Sequence, residues 1–251
     1  MIYLKAMKKN SFSYFSVAVL VLLPQVVFAQ MPSFSSEEYF ERGVMFYERG
    51  DYSTAVLEFS DALTLDPRNV AALNNRGCSY YLQKNYELAI LDFTQAIRLS
   101  PNDVSGYNNR GGAYYSIGEY QNAAADYTQA IRLNPDDSDA YNNRGGAYYL
   151  LKDFDRAIAD FTQAIRLNPN DASAYNNRGS SYYLQKNYDK AVADCTQSIR
   201  LNPTDANAFF NRGGAYYYMQ ETDKAIADFT EAVHLDPLNA NFSEIRRVLG
   251  L

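Results

Sequence analysis

Asparagines stand in adjacent pairs at Asn74 and Asn75, Asn108 and Asn109, Asn142 and Asn143, and Asn176 and Asn177, each pair 34 residues after the last, and Asn211 continues the second row. Six residues after each second asparagine comes a tyrosine, at Tyr81, Tyr115, Tyr149, Tyr183 and Tyr217. A primary amide offers a donor and an acceptor at once, so a row of amides can pair with the alternating N–H and C=O groups of an extended peptide without reading its side chains. Phenol rings add flat surface for stacking. This is recognition chemistry. Covalent chemistry has little to work with: His234 is the one histidine, Cys78 and Cys195 are the two cysteines, and no nucleophile–base set, phosphate loop or metal-ligand spacing accompanies them. No enzymatic activity, cofactor or metal is expected.

The elements that must position these residues are periodic. Arg-Gly recurs at Arg42-Gly43, Arg76-Gly77, Arg110-Gly111, Arg144-Gly145, Arg178-Gly179 and Arg212-Gly213, always 34 residues apart. With the glycine as the eighth position, six units run over residues 36–69, 70–103, 104–137, 138–171, 172–205 and 206–239. Apolar and small residues fall at helical spacing in both halves of each unit, as with Tyr141, Gly145 and Tyr148, then Ala157, Phe161 and Ala164. The halves are separated by turns such as Gly50-Asp51, Gly118-Glu119 and Lys152-Asp153. Proline ends each unit at Pro67, Pro101, Pro135, Pro169, Pro203 and Pro237. Two residues on, Asn69, Asp103, Asp137, Asp171, Asp205 or Asn239 can cap the helix that follows.

A 34-residue helix-turn-helix carrying large, Gly, aromatic, Ala, aromatic, Ala and Pro in order resembles the tetratricopeptide repeat over residues 36–239. Two departures are visible. The fourth position, often tryptophan in the family, holds Tyr39, Leu73, Tyr107, Tyr141, Tyr175 or Phe209, and arginine precedes the glycine in place of leucine. The resemblance implies an all-α, right-handed superhelical solenoid of six hairpins, each too small to bury its own apolar face. Residues 240–251, with Phe242, Ile245, Val248 and Leu249 at helical spacing, are expected to form a capping helix.

In such superhelices positions two, five, nine and twelve of the first helix line a concave groove. By resemblance, that places Asn74, Asn108, Asn142, Asn176 and the five tyrosines there, with Asn75, Asn109, Asn143, Asn177 and Asn211 beside them. The arrangement is similar to the asparagine ladder in the repeat groove of O-linked N-acetylglucosamine transferase. Two readings of the amides stand: ligand binding, or bonds to neighbouring helices that set superhelical twist. Gly112, Gly146 and Gly214 lie on the same face, although glycine inside a helix costs about 1 kcal/mol relative to alanine. The groove lacks the basic residues of a carboxylate clamp, since Ala71, Ser105, Asp139, Ser173 and Asn207 hold the second position. Glu41 and Phe210 break the pattern in the first and sixth units.

Other repeated residues read as structural. Each glycine of the Arg-Gly pairs sits where the helices of a hairpin should cross closely. Tyr80, Tyr114, Tyr148, Tyr182 and Tyr216 fall on the core face. An acid follows each arginine by sixteen residues, at Glu58, Asp92, Asp126, Asp160, Asp194 and Asp228, so an ion pair within each unit is expected. Cys195 stands where Phe93, Tyr127, Phe161 and Phe229 supply a ring, which should leave the fifth unit underpacked.

Residues 1–29 differ from the rest: Lys5, Lys8 and Lys9, an apolar run over 15–23, then Val27-Phe28-Ala29 read as a secretory signal cut after Ala29, with 30–35 a short linker. Without it the chain holds 20 basic and 29 acidic residues, a formal charge of −9. That charge argues against nucleic acid and anionic membrane. The Arg-Gly-Gly triplets at 110–112, 144–146 and 212–214 lie inside predicted helices of this acidic chain and are not read as RNA-binding boxes. No disulfide and no membrane insertion after cleavage are expected. The expected role is an exported, periplasmic or secreted adaptor that holds an extended protein segment in its groove. The alternatives are a self-associating scaffold and a glycan-binding module.

Overall fold

The computed structural model describes residues 34–239 and 242–249; the expected signal segment, and residues 240, 241, 250 and 251 of the expected cap, lie outside them. Among the described residues there are thirteen helices and no strand. They run in hairpin pairs: α1 Ser36–Glu48 with α2 Tyr52–Leu65, α3 Val70–Leu82 with α4 Tyr86–Leu99, and α5 Val104–Ser116 with α6 Tyr120–Leu133. The series continues as α7 Ser138–Leu150 with α8 Phe154–Leu167, α9 Ala172–Leu184 with α10 Tyr188–Leu201, and α11 Ala206–Tyr218 with α12 Thr222–Leu235. The closing helix is α13 Ser243–Leu249. Each helix packs first on its hairpin partner and then on the next hairpin, which is a solenoid.

The helix starts follow from their caps. Asn69, Asp103, Asp137, Asp171 and Asp205 each accept a bond from the first turn of the following helix, and Ser35 closes a capping box with Glu38. Within hairpins the connecting residue takes a left-handed backbone. Glycine does this at Gly50 and Gly118, but Lys84, Lys152, Lys186 and Gln220 do it with φ between 61° and 63°.

Five of the six Arg-Gly glycines meet an aromatic ring of the partner helix, and Gly179 meets Cys195 Sγ instead. A Cβ on Gly43 would lie 2.5 Å from Phe59, and one on Gly111 would lie 2.9 Å from Tyr127. No side chain larger than hydrogen fits there without displacing the ring that forms the hairpin core. The alanines Ala55, Ala62, Ala123, Ala130, Ala157 and Ala164 are fully buried and let the helices approach.

The six expected ion pairs are present, with N–O distances of 2.6 to 2.8 Å. Five of them, from the second unit on, do more than join the two helices of a unit. Arg144 grips Asp160 through Nε and Nη2 at 2.8 Å each, while its Nη1 donates to Thr128 Oγ1 of the preceding unit at 3.0 Å. Ser60, Thr94, Thr162 and Thr196 serve the same way for Arg76, Arg110, Arg178 and Arg212. The arginine is thus a staple between units, satisfying a nearly buried carboxylate and fixing the stagger of successive hairpins.

The fifth unit departs from the others in its packing. Cys195 is fully buried there, and α9 and α11 pack more extensively than any other pair of successive first helices. At the C-terminal end Phe242 is fully buried beside Ala206, Ala232 and Val233 and stacks on Phe210 at 4.9 Å between centroids. Arg246 anchors α13 by donating to the carbonyls of Pro237 and Asn239.

Candidate functional site

First helices α3, α5, α7, α9 and α11 contribute to two adjoining cavities. The larger, of about 480 Å³, is lined by Tyr81, Asn108, Asn109, Asn142, Asn143 and Asn177 around Gly112 and Gly146, with Tyr115 and Tyr127. The second, of about 400 Å³, includes Tyr149, Asn176 and Asn211. Tyr115, Gly146 and Asn177 border both. Of the residues expected from the sequence, Asn74, Asn75, Tyr183 and Tyr217 line neither. Tyr183 instead packs against Tyr188 and Tyr218, and Tyr217 stands 62% exposed beside Tyr218.

The amides fall into two groups. Asn177 donates to Asn142 Oδ1 at 3.1 Å and Asn211 to Asn176 Oδ1 at 2.9 Å, so these four bridge neighbouring first helices. Nearer the N-terminus the pattern changes. Asn74 and Asn108 turn their Nδ2 atoms to the capping carboxylates of Asp103 and Asp137, which leaves Oδ1 of each buried without a partner. Asn75 bonds back to the carbonyl of Ala71. Asn109 reaches only Cys78 Sγ at 3.7 Å, a weak acceptor, and exposed Asn143 makes no side-chain hydrogen bond among the described residues. Of these, Asn108, Asn109 and Asn143 line the larger cavity.

Two glycines keep that cavity open. A Cβ on Gly112 would meet nothing closer than the Tyr127 hydroxyl at 3.8 Å, and one on Gly146 nothing closer than the Tyr115 hydroxyl at 3.6 Å. Packing therefore does not demand glycine at either. Gly214 differs, since its Cβ would lie 3.2 Å from Tyr183, where α9 and α11 close up.

Neither cavity is lined by a charged side chain. Burial pushes the phenol of Tyr115 above its ordinary range and the Cys78 thiol to about 11, so both stay neutral at physiological pH. Tyr81 and Tyr149 spend their hydroxyls on Ser116 and Ser180 at 3.1 and 3.0 Å. Tyr127 belongs to this site although its register assigned it to the core. The available signal was a hydroxyl at a position held by Phe59, Phe93, Phe161 and Phe229 in other units. The arrangement can hydrogen-bond and stack on a neutral ligand. Among the described residues no group of His, Cys, Asp or Glu side chains could hold a metal, and no helix is long and apolar enough to cross a membrane.

The model of the tetratricopeptide repeat matches residues 70–103, 138–171, 172–205 and 206–239, and a related repeat model matches 43–84 and 111–152. The chain belongs to the tetratricopeptide-repeat family. Its scaffold is accordingly one suited to protein–protein interaction. No curated protein matches the sequence. Among solved structures it is similar to PilF of Pseudomonas aeruginosa, with a TM-score of 0.72 and 20% identity over 85% of this chain and 97% of that one. PilW, described as a widely conserved type IV pilus biogenesis factor, matches with a TM-score of 0.74 and 18% identity over 84% and 97% of the two chains. YrrB, described as a tetratricopeptide-repeat protein with an unusual peptide-binding site, matches at 0.62 with 21% identity over 75% and 97%. At these identities the likeness is one of tetratricopeptide fold.

Proposed function

We propose that the protein is a non-enzymatic, exported adaptor that holds an extended, uncharged protein segment in the larger cavity, across the second to fourth hairpins. The observation that carries this reading is the pair of amides with unspent hydrogen-bonding capacity, Asn109 and Asn143, lining a gap that Gly112 and Gly146 leave open. A peptide backbone supplies what they lack, alternating donors and acceptors, and Tyr81 and Tyr115 flank it. The Asn142–Asn177 and Asn176–Asn211 pairs serve the alternative role of holding first helices together. YrrB, a relative in fold, has a peptide-binding site, which supports this use of the scaffold. Export rests on the composition of residues 1–29.

The test is selection of a random heptapeptide library displayed on phage against the immobilised protein, followed by affinity measurements on enriched peptides. Replacing Asn109 and Asn143 together by alanine should weaken binding at least tenfold, and Asn211→Ala should leave it unchanged. Equal effects of the two variants would overturn the assignment.

A second reading, self-association, is favoured by Leu57 and Leu91, each 65% exposed on the second helices of the first two units where later units carry alanine at the same register. Sedimentation of wild type against Leu57→Glu/Leu91→Glu decides it, since a monomer in both cases removes it.

A further inference from the structure

Arginine recurs at 34-residue intervals in a second place, at Arg98, Arg132, Arg166 and Arg200, and these four take no part in the staples. All stand exposed on the last turn of the second helices α4, α6, α8 and α10. Among the described residues none of them makes an ion pair, and their one side-chain bond runs from Arg166 Nε to Gln163 at 2.9 Å. Thr64 holds the register in the first unit and His234 in the sixth, so the row spans the second to fifth hairpins. A cation suits the C-terminal end of a helix dipole, but the dipole does not demand one here, since none of the six first helices has a basic residue in its last turn.

The surface leading to each arginine is uncharged. One turn back lie Gln95, Gln129, Gln163 and Gln197, and two turns back lie the exposed Leu91, Ala125, Ala159 and Ala193. The staple arginines approach the same face, as where Arg144 Nη1 bonds Thr128, but each is neutralised by its own aspartate. What remains is one free cation per hairpin, on a chain whose formal charge without residues 1–29 is −9. Successive second helices do not pack on one another as the first helices do, and between α2 and α4 a cleft of about 510 Å³ opens with Gln95 and Arg98 on its wall. Each arginine is thus separated from the next by roughly a helix diameter, about 10–12 Å.

We infer that the exposed faces of α4, α6, α8 and α10 form a second binding surface, separate from the amide groove, for an extended acidic segment of a partner protein whose carboxylates recur about every third residue. An extended chain advances about 3.3–3.6 Å per residue, so three residues span one hairpin. A guanidinium matches a carboxylate through two parallel bonds, and the neighbouring glutamine amides can bond the main chain of the segment. The sparseness of the row decides the kind of partner. A nucleic acid or a sulfated polysaccharide carries closely spaced charge that one guanidinium per hairpin cannot balance, and the negative field of the whole chain repels it. One carboxylate per hairpin is balanced. The surface borders neither amide-lined cavity, so it stands whether or not the groove holds a peptide.

The experiment is fluorescence anisotropy at low salt with a fluorescein-labelled peptide of four Glu-Ser-Gly repeats and its Gln-Ser-Gly counterpart. Wild type is expected to bind the glutamate peptide and not the glutamine peptide. Arg132→Gln/Arg166→Gln removes two exposed ion pairs and should weaken binding about tenfold. Arg156→Gln/Lys224→Gln removes the same charge from the opposite end of second helices, where both cations are already paired, and should change affinity less than twofold. Binding should fade at about 0.5 M salt, where screening shortens the reach of each charge. All four substituted positions are exposed, and circular dichroism should show wild-type helicity in both variants. No binding of the glutamate peptide by wild type overturns the surface. So does an equal loss in the two variants, which would mean diffuse attraction. Binding of dextran sulfate that depends on Arg132 and Arg166, with no binding of the glutamate peptide, replaces the acidic segment by a polysaccharide and overturns the inference as well.

Discussion

Asn177 donates from Nδ2 to Oδ1 of Asn142 at 3.1 Å, bridging α9 to α7. One residue along α7, Asn143 is exposed and unpaired among the described residues, so two adjacent asparagines of one helix face different tasks. Removing Asn177 strands the Asn142 oxygen, and Asn211→Ala does the same to Asn176. Each should lower stability by about 1 kcal/mol, whereas Asn143→Ala should stay within about 0.5 kcal/mol of wild type. Urea unfolding followed by circular dichroism measures all three, and an equal loss at Asn143 would contradict the division.

The neighbouring glycines Gly111 and Gly112 should respond oppositely to alanine. At Gly112 nothing obstructs a Cβ, so Gly112→Ala is expected to stabilise the protein by about 0.5–1 kcal/mol through helix propensity, while reducing peptide affinity by narrowing the cavity. At Gly111 the new carbon would lie 2.9 Å from the Tyr127 ring, and overpacking of about 1–3 kcal/mol should dominate. Thermal melts of the two variants give the signs directly.

The staple arginines predict a difference between breaking and trimming the network. Arg144→Met leaves the nearly buried Asp160 carboxylate without its partner and should destabilise by about 3 kcal/mol. Thr128→Val removes the bond between units, along with the hydroxyl's bond to the Ala124 carbonyl in α6, but leaves Asp160 paired, and should lose about 1 kcal/mol. Hydrogen exchange at the boundary between the third and fourth hairpins should rise in Thr128→Val, with the interior of each hairpin less affected.

Alkaline pH should expose the buried thiol. Desolvation pushes Cys195 from its ordinary value of 9.0 up to about 12. The folded state then holds a proton that the unfolded chain has released, so stability from this group is complete below about pH 9 and is lost as pH rises toward 12. The loss of urea midpoint between pH 9 and pH 11 should be smaller in Cys195→Ala than in wild type. Native protein at pH 8 should not label at Cys195 with a thiol reagent until it unfolds.

Much of the fold was legible in the residues. The 34-residue spacing of Arg-Gly, the alternation of small and aromatic positions, and the capping side chains after each proline specify short helices and their pairing through local, repeated chemistry. The sixteen-residue interval between arginine and acid likewise announced an ion pair in every unit. Its second bond, from Arg144 back to Thr128, was hidden because it crosses a unit boundary, where the relation depends on how hairpins stagger. The candidate cavity was half legible: the amide rows stood out, but Tyr127, which also lines it, was masked by a register that marks it as core.

By itself, the sequence determined a tetratricopeptide array and the face on which its amides lie, because helix periodicity and caps act within a few residues. Only the tertiary structure decided which amides are occupied. Asn108 and Asn142 share a register and an identical neighbour, yet one turns to a capping carboxylate and the other accepts from the next helix. The physical reason is that a side-chain amide reaches only a few ångströms. Its partner is therefore set by the separation of successive first helices, and that separation is the product of packing along the whole array rather than of any one repeat.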